Sequence, residues 1–161
     1  MHERISDVKY AVITVSDSRF NEIISGHDIT DKSGDFLKEE LGAKIYHLIP
    51  DSKTMLEGLI EHIIEFTDVD SIVITGGTGL SKRDITADVV KSMYEKELDG
   101  FKIVFHNLSY GEVKYSTILS RASAGLYKGK IIYSLPGSIN ACKTALDIIK
   151  TETGHIIGHI K

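Results

Sequence analysis

A chain of 161 residues, 42% hydrophobic and 26% charged, is long enough to enclose one well-covered core and too short for two, so a single domain over residues 1–161 is expected. Its net charge of −4 excludes the basic surface of a non-specific nucleic-acid binder, and an anionic ligand has to be held by local donors rather than by the field of the whole molecule. No apolar run is long enough to span a bilayer, the N-terminus MHERISDVKY lacks the apolar stretch of a signal peptide, and the single cysteine, Cys142, has no internal partner, which together point to a reducing, cytoplasmic setting.

Residues 9–16 (KYAVITVS) predict a first buried strand, followed by a polar stretch through Ser25-Gly26-His27-Asp28 and a helix over about residues 30–40 that Gly42 closes. Residues 44–49 read as a second strand. The clearest amphipathic helix covers residues 52–66, where Met55, Leu56, Leu59, Ile60, Ile63 and Ile64 recur on one face. Ile72, Val73 and Ile74 form an unbroken apolar run, as expected of a strand covered on both faces, and Gly76 and Gly77 end it sharply. A helix is predicted over residues 85–97 and a short one over 101–108, whereas residues 110–121 show no clean period. Residues 122–127 fit a strand, and so do residues 130–135 (KIIYSL), which stop at Pro136-Gly137. Ser138 then suits the N-cap of a helix over about residues 139–151. This alternation implies an α/β fold: a three-layer, mostly parallel sheet with helices on both faces, joined by right-handed crossovers.

In such sheets the ligand lies outside the carboxyl ends of the strands, which singles out the loops after Ser16, Ile49, Thr75 and Leu135. They carry Ser16-Asp17-Ser18, then Pro50-Asp51-Ser52, then Thr75-Gly76-Gly77-Thr78-Gly79 with Lys82-Arg83-Asp84, then Pro136-Gly137-Ser138. The glycines present no side chain to keep phosphate oxygens away from main-chain N–H groups, and a helix beginning near Asp84 or Ile85 would point its positive end at the same spot. The tetrad is neither a P-loop nor the dinucleotide fingerprint. Each acid also has a plainer explanation. Asp51 and Asp84 stand before predicted helices, where Asp is a favoured N-cap; Asp17 suits an ordinary turn; and Ser138 is a cap in either case. Independent caps, however, would not need to share one edge of a sheet.

Taken in this order, the four loops resemble the MoaB/MogA family of molybdenum-cofactor biosynthesis. The likeness runs over about residues 10–149 and takes in Gly100-Phe101 and Leu119-Ser120-Arg121. It implies the molybdenum-cofactor-biosynthesis fold and a molybdopterin adenylyltransferase of a molybdenum or tungsten pathway. Such an enzyme binds ATP with Mg²⁺ and molybdopterin, transfers AMP to the pterin's terminal phosphate and releases pyrophosphate. The family's two catalytic acids map onto Asp51 and Asp84. Its substrate- and nucleotide-binding positions map onto Ser16, Asp17, Thr75, Gly76, Gly77, Thr78, Gly79, Arg83, Ser120, Arg121, Pro136, Gly137 and Ser138. The resemblance further implies a homo-oligomer, trimer or hexamer, and the downstream molybdenum-insertion protein as a partner; subunit contacts are to be sought in residues 110–126, whose apolar residues have no period that fits a simple buried face. It implies neither nucleic acid nor membrane.

The chemistry of the residues can be set beside that assignment. A phosphate monoester, with its second pKa at about 6, is mostly ionised at neutral pH and needs no general base to attack. Bare carboxylates beside two anionic reactants would only repel them, so Asp51 and Asp84 suit the holding of Mg²⁺, a hard cation that takes oxygen ligands. Lys82, Arg83 and Arg121 are candidates for neutralising charge on the transferred phosphoryl group and on pyrophosphate. A chain that binds molybdopterin or nucleotide without catalysis is the alternative; retention of Asp84 beside Arg83 speaks for transfer. The competence-damage-inducible proteins share a similar loop, but there it usually reads Gly-Gly-Leu-Gly-Pro-Thr and continues into Asp-Asp, unlike Thr78 and Lys82-Arg83 here. His155 and His159 have metal-like spacing, but Gly154 and Gly158 weaken a helix there and no third ligand is near. Cys142 is read as packing, and the acidic residues 35–40, with Glu95 and Glu97, as solvated helix faces.

Overall fold

Two strands, β1 (Tyr10–Val15) and β3 (Ser71–Thr75), are buried at every position because helices cover both sides of the sheet they share. In the computed structural model, which describes residues 3–161, they alternate with α1 (Asp17–Ile24), α2 (Lys32–Glu40), β2 (Ile45–Ile49) and α3 (Lys53–Phe66). After β3 come α4 (Thr86–Met93), β4 (Lys96–Glu97), α5 (Asp99–Val113), a 3₁₀ turn (Lys114–Leu119), β5 (Ser123–Tyr127), β6 (Lys130–Leu135) and α6 (Ile139–Ile160). The strand order is β2-β1-β3-β6-β5-β4. The pairs β1–β2, β1–β3 and β3–β6 are parallel, and β5 and β4 close one side antiparallel. Among the described residues no helix is long and apolar enough to cross a membrane.

Successive side chains of a strand point to opposite faces, and this divides the core in two. Tyr10, Val12, Val73, Ile131, Tyr133 and Leu135 face α2, α5 and α6, which contribute Leu37, Phe105, Cys142, Ala145 and Ile149. Ala11, Ile13, Val15, Ile72, Ile74 and Ile132 face α3 and α4, which contribute Leu56, Ile60, Ile63, Val89 and Val90. The predicted strand and helix order therefore holds, with four local differences.

The first is α1, which forms within the stretch expected to be polar loop. Ser16 caps it by accepting from the Arg19 N–H, yet it buries none of its residues, so no apolar period announces it. The helix predicted over residues 85–97 ends at Met93, and Lys96–Glu97 leaves it to pair with β5 as an edge strand. The short helix predicted over residues 101–108 extends over Asp99–Val113, with only Phe101 and Phe105 buried. Finally, α6 continues to Ile160 through Gly154 and Gly158, which had been read as weakening it.

Those two glycines have a packing cause. The N-terminal segment crosses α6 so closely that the Ile5 N–H donates to the Gly154 carbonyl at 3.0 Å. A Cβ at Gly154 would lie 2.1 Å from the Ile5 carbonyl oxygen, and one at Gly158 would lie 1.9 Å from that of Glu3. Helix propensity favours Ala over Gly by about 1 kcal/mol, but a backbone clash of this kind typically costs about 1–3 kcal/mol. Gly154→Ala is therefore expected to lower stability in a denaturant titration. A stabilised variant would show that the crossing segment does not constrain the helix.

Candidate active site

Parallel pairing brings four loops to one edge of the sheet. Val15 stands opposite Ile49, Thr14 opposite Thr75 and Thr75 opposite Leu135, so the strands end within about one residue of the same level. Two further bonds, from Ser16 N–H to the Ile49 carbonyl and from Gly76 N–H to the Leu135 carbonyl, each 2.9 Å, carry that register into the loops. Between them opens a cleft of about 700 Å³ lined by Ser16, Asp17, Asp51, Gly76, Gly77, Thr78, Gly79, Asp84, Ser120, Pro136, Gly137 and Ser138. Twelve of the fifteen residues singled out in the sequence thus lie on its wall, and Thr75, Arg83 and Arg121 do not.

These three act from behind. Thr75 is buried, and its hydroxyl donates to the Pro136 carbonyl at 2.9 Å, tying the end of β3 to the loop after β6. Arg83 forks onto Asp17, Nε to Oδ2 at 2.8 Å and Nη2 to Oδ1 at 3.0 Å, and reaches the Asp51 carbonyl at 3.3 Å. Arg121 donates from Nε and Nη2 to the Gly79 carbonyl and from Nη2 to that of Asp84, while Nη1 meets Asp88 at 2.8 Å. Both arginines brace the loops with donors that the sequence reading had directed toward phosphate.

Neither Asp51 nor Asp84 caps a helix. The cap of α3 is Ser52, whose hydroxyl accepts from Met55 N–H, and α4 begins after Ile85 with no side-chain cap. Asp51 instead exchanges bonds with Asp17. The Asp17 N–H donates to Asp51 Oδ2 at 3.1 Å, and the Asp51 N–H donates to Asp17 Oδ1 at 2.8 Å. Asp84 Oδ2 accepts from Ser81 N–H at 2.9 Å and lies against Gly79, where a Cβ would come within 2.7 Å of it. Gly77 has φ +75°, and a Cβ there would lie 2.2 Å from Thr86 Oγ1 and 3.3 Å from Asp51 Oδ1. The left-handed backbone and the approach of both acids each require glycine in this loop.

The start of α4 differs from expectation. Its Thr86 N–H donates to the Gly77 carbonyl at 3.0 Å and its Ala87 N–H to the same oxygen at 3.4 Å, so the loop closes this helix end itself rather than leaving it to an anion. It is α6 that begins on the cleft, with Ser138, Asn140 and Ala141 on its wall. The opposite wall is α5 and the 3₁₀ turn, with Ser109, Glu112, Ser116 and Thr117, none of which the sequence reading named. It also missed Arg19, three residues after Ser16, which reading Ser16 as a cap would have placed in the first turn of a helix. Cys142 is buried beside Thr75, and burial pushes its thiol pKa up, as suits a packing residue. His155 and His159 do share a face of α6, 3.1 Å apart, but among the described residues no three His, Cys, Asp or Glu side chains converge on one point.

The acids differ electrically. The hydrogen-bonded Arg83 fork holds the Asp17 carboxyl below its ordinary pKa. Asp51 is pushed the other way, first by burial and then by the charges of Asp17 and Asp84, with the Asp17 N–H and Arg83 only partly offsetting them.

A family profile described as a probable molybdopterin binding domain matches residues 11–154. The chain belongs to this family. A curated relative from Methanocaldococcus jannaschii, named a probable molybdopterin adenylyltransferase, is 63% identical over all of this chain and 99% of its own. Another from Pyrococcus furiosus, named molybdopterin adenylyltransferase, is 44% identical over 95% of this chain and 91% of its own. The crystal structure of the tungsten cofactor synthesizing protein MoaB from Pyrococcus furiosus superposes with a TM-score of 0.84 at 42% identity, covering 94% of this chain and 96% of that one. The family fold is thus the sheet and helices described above.

The raised pKa of Asp51 makes its ionised form a liability for the unliganded fold. The penalty is full above the folded pKa and disappears as pH falls through it to the ordinary carboxyl value. Asp51→Asn, which keeps an acceptor for the Asp17 N–H, is expected to raise the melting temperature at pH 7. That gain should vanish near pH 3, and a variant less stable than wild type at pH 7 would contradict the electrostatic account.

Proposed function

We propose that the chain is a molybdopterin adenylyltransferase that uses Mg-ATP, with residues 1–161 working as one domain of a cytoplasmic protein. The bond formed joins a phosphate oxygen of molybdopterin to the α-phosphorus of ATP. The bond broken is that between this phosphorus and the bridging oxygen to the β-phosphate, and pyrophosphate departs with the electron pair. The observation that carries this reading is the convergence of Asp51 and Asp84 on one glycine loop at the carboxyl edge of a parallel sheet. The names of the full-length relatives support it.

The residues fit a magnesium ion. Asp51 is a carboxylate destabilised by burial and by neighbouring acids, a condition that a cation would relieve. Two protein carboxylates with phosphate and water completing the shell is a usual arrangement for this metal. When bound, the ion supplies charge neutralisation between two anionic reactants. The chain's own residues do the rest. The Asp17–Arg83 fork and the reciprocal Asp17–Asp51 bonds fix the first carboxylate, and the Ser81 N–H fixes the second. Gly76 to Gly79 let phosphate oxygens approach the backbone, and no protein base is required.

Assembly as a homo-oligomer, trimer or hexamer, is supported by the apolar side chains left exposed on α5 and the 3₁₀ turn. Ile103, Leu108, Val113, Tyr115, Ile118 and Leu119 are all there, with Tyr115 76% and Ile118 77% exposed. The downstream molybdenum-insertion protein is the expected recipient of the product.

The test is release of pyrophosphate from ATP with Mg²⁺ and purified molybdopterin. Asp84→Asn should reduce turnover by about a hundredfold, on the scale of losing one group that stabilises transition-state charge, while substrate binding persists. Equal turnover in both proteins would reject the metal role. Absence of turnover in wild type, with molybdopterin still bound, would favour a binding protein of the same pathway.

A further inference from the structure

Of the three arginines at or behind the cleft, two are hydrogen-bonded to the protein, Arg83 through two of its guanidinium nitrogens and Arg121 through all three. Arg83 serves Asp17 and the Asp51 carbonyl, and Arg121 serves Gly79, Asp84 and Asp88. Arg19 is different. It lies on the cleft wall on α1, and its guanidinium donates no hydrogen bond to any described residue. Among the described residues it is the only cationic side chain on that wall, which also carries the acids Asp17, Asp51, Asp84 and Glu112. A cleft with this balance would repel polyphosphate unless a cation received it, and the guanidinium fork matches phosphate oxygens in pairs.

Arg19 is also aimed. Its Nε lies 4.0 Å from Oδ1 of Asp31, a carboxylate only 2% exposed in its side chain. Asp31 is immobilised in turn: it caps α2 by accepting from Gly34 N–H at 3.1 Å, and it accepts a bond from the Tyr46 hydroxyl. At 4.0 Å this is a charge contact without a hydrogen bond; a buried, doubly held carboxylate draws the Nε edge toward itself and leaves both Nη groups available. We infer that Arg19 binds a substrate phosphate in the cleft and that Asp31 is the positioning residue that holds its fork toward it. The inference rests on the proposed adenylyl transfer for the identity of its ligands, which are the pyrophosphoryl end of the nucleotide or the phosphate monoester of the pterin.

Calorimetric titration with inorganic pyrophosphate reads this without turnover. Arg19→Met should weaken binding by about tenfold or more, the scale of one lost charge-assisted contact, and Arg19→Lys should recover part of it. Because α1 buries none of its residues, the melting temperature of Arg19→Met should match that of wild type. Asp31→Asn should weaken binding less than Arg19→Met and add nothing in the Arg19→Met background, which a general loss of stability would not reproduce. In steady state, a higher KM for ATP alone assigns Arg19 to the nucleotide, and a higher KM for molybdopterin alone assigns it to the pterin phosphate. Pyrophosphate bound equally by wild type and Arg19→Met, or not bound by wild type, would overturn the inference even if AMP transfer is observed. Weakened binding in a protein without AMP transfer would leave it standing and reject the enzymatic reading instead.

Discussion

Because β2, β1, β3 and β6 run parallel and end almost level, the residues that follow each strand must emerge on one edge of the sheet, and every feature of the cleft depends on that register. A slip of one residue in any pair would exchange the two faces of a strand, taking Val12 and Val73 away from α6 and Ile13 and Ile74 away from α3. The two cores therefore fix the register, and the register fixes the site. Loop bonds such as Gly76 N–H to the Leu135 carbonyl then hold the glycines against the turn after β6.

On that edge, charge is organised by pairing rather than by excess. Asp17 is neutralised by the Arg83 fork, and each of Asp17 and Asp51 accepts the other's backbone N–H, joining the loops after β1 and β2. Exposed ion pairs of this kind contribute little to stability, so their role is placement. Asp51 remains half-buried, with the Asp17 N–H as its donor among the described residues, under the charge of Asp84 and against Gly77, where a side chain would collide with Thr86. Such unrelieved charge suits the proposed adenylyl transfer, in which a cation and two anionic reactants would meet at this point.

What could be read directly from the residues follows the same physics. β1 and β3 were legible because burial on both faces writes an unbroken apolar run, and α3 because Leu56, Ile60 and Ile63 repeat on one face. Helix α1 buries nothing, and α5 buries only Phe101 and Phe105, so their patterns carry little of the fold. The true extent of α6 depended on a segment distant in sequence lying across Gly154 and Gly158. The cleft was legible in its loops because they follow legible strands. Its braces were not: the sequence shows that Arg83 and Arg121 are cationic, but only the packed loops show that Asp17 and the Gly79 carbonyl take their donors.

The most direct measurement of the central claim is a crystal structure with Mg²⁺ and a non-hydrolysable ATP analogue. The account expects the phosphates against Gly76 to Gly79 and the ion bound to oxygens of Asp51 and Asp84, with the Asp17–Arg83 fork unchanged. Phosphates seated elsewhere, or an ion that leaves either carboxylate unengaged, would contradict it.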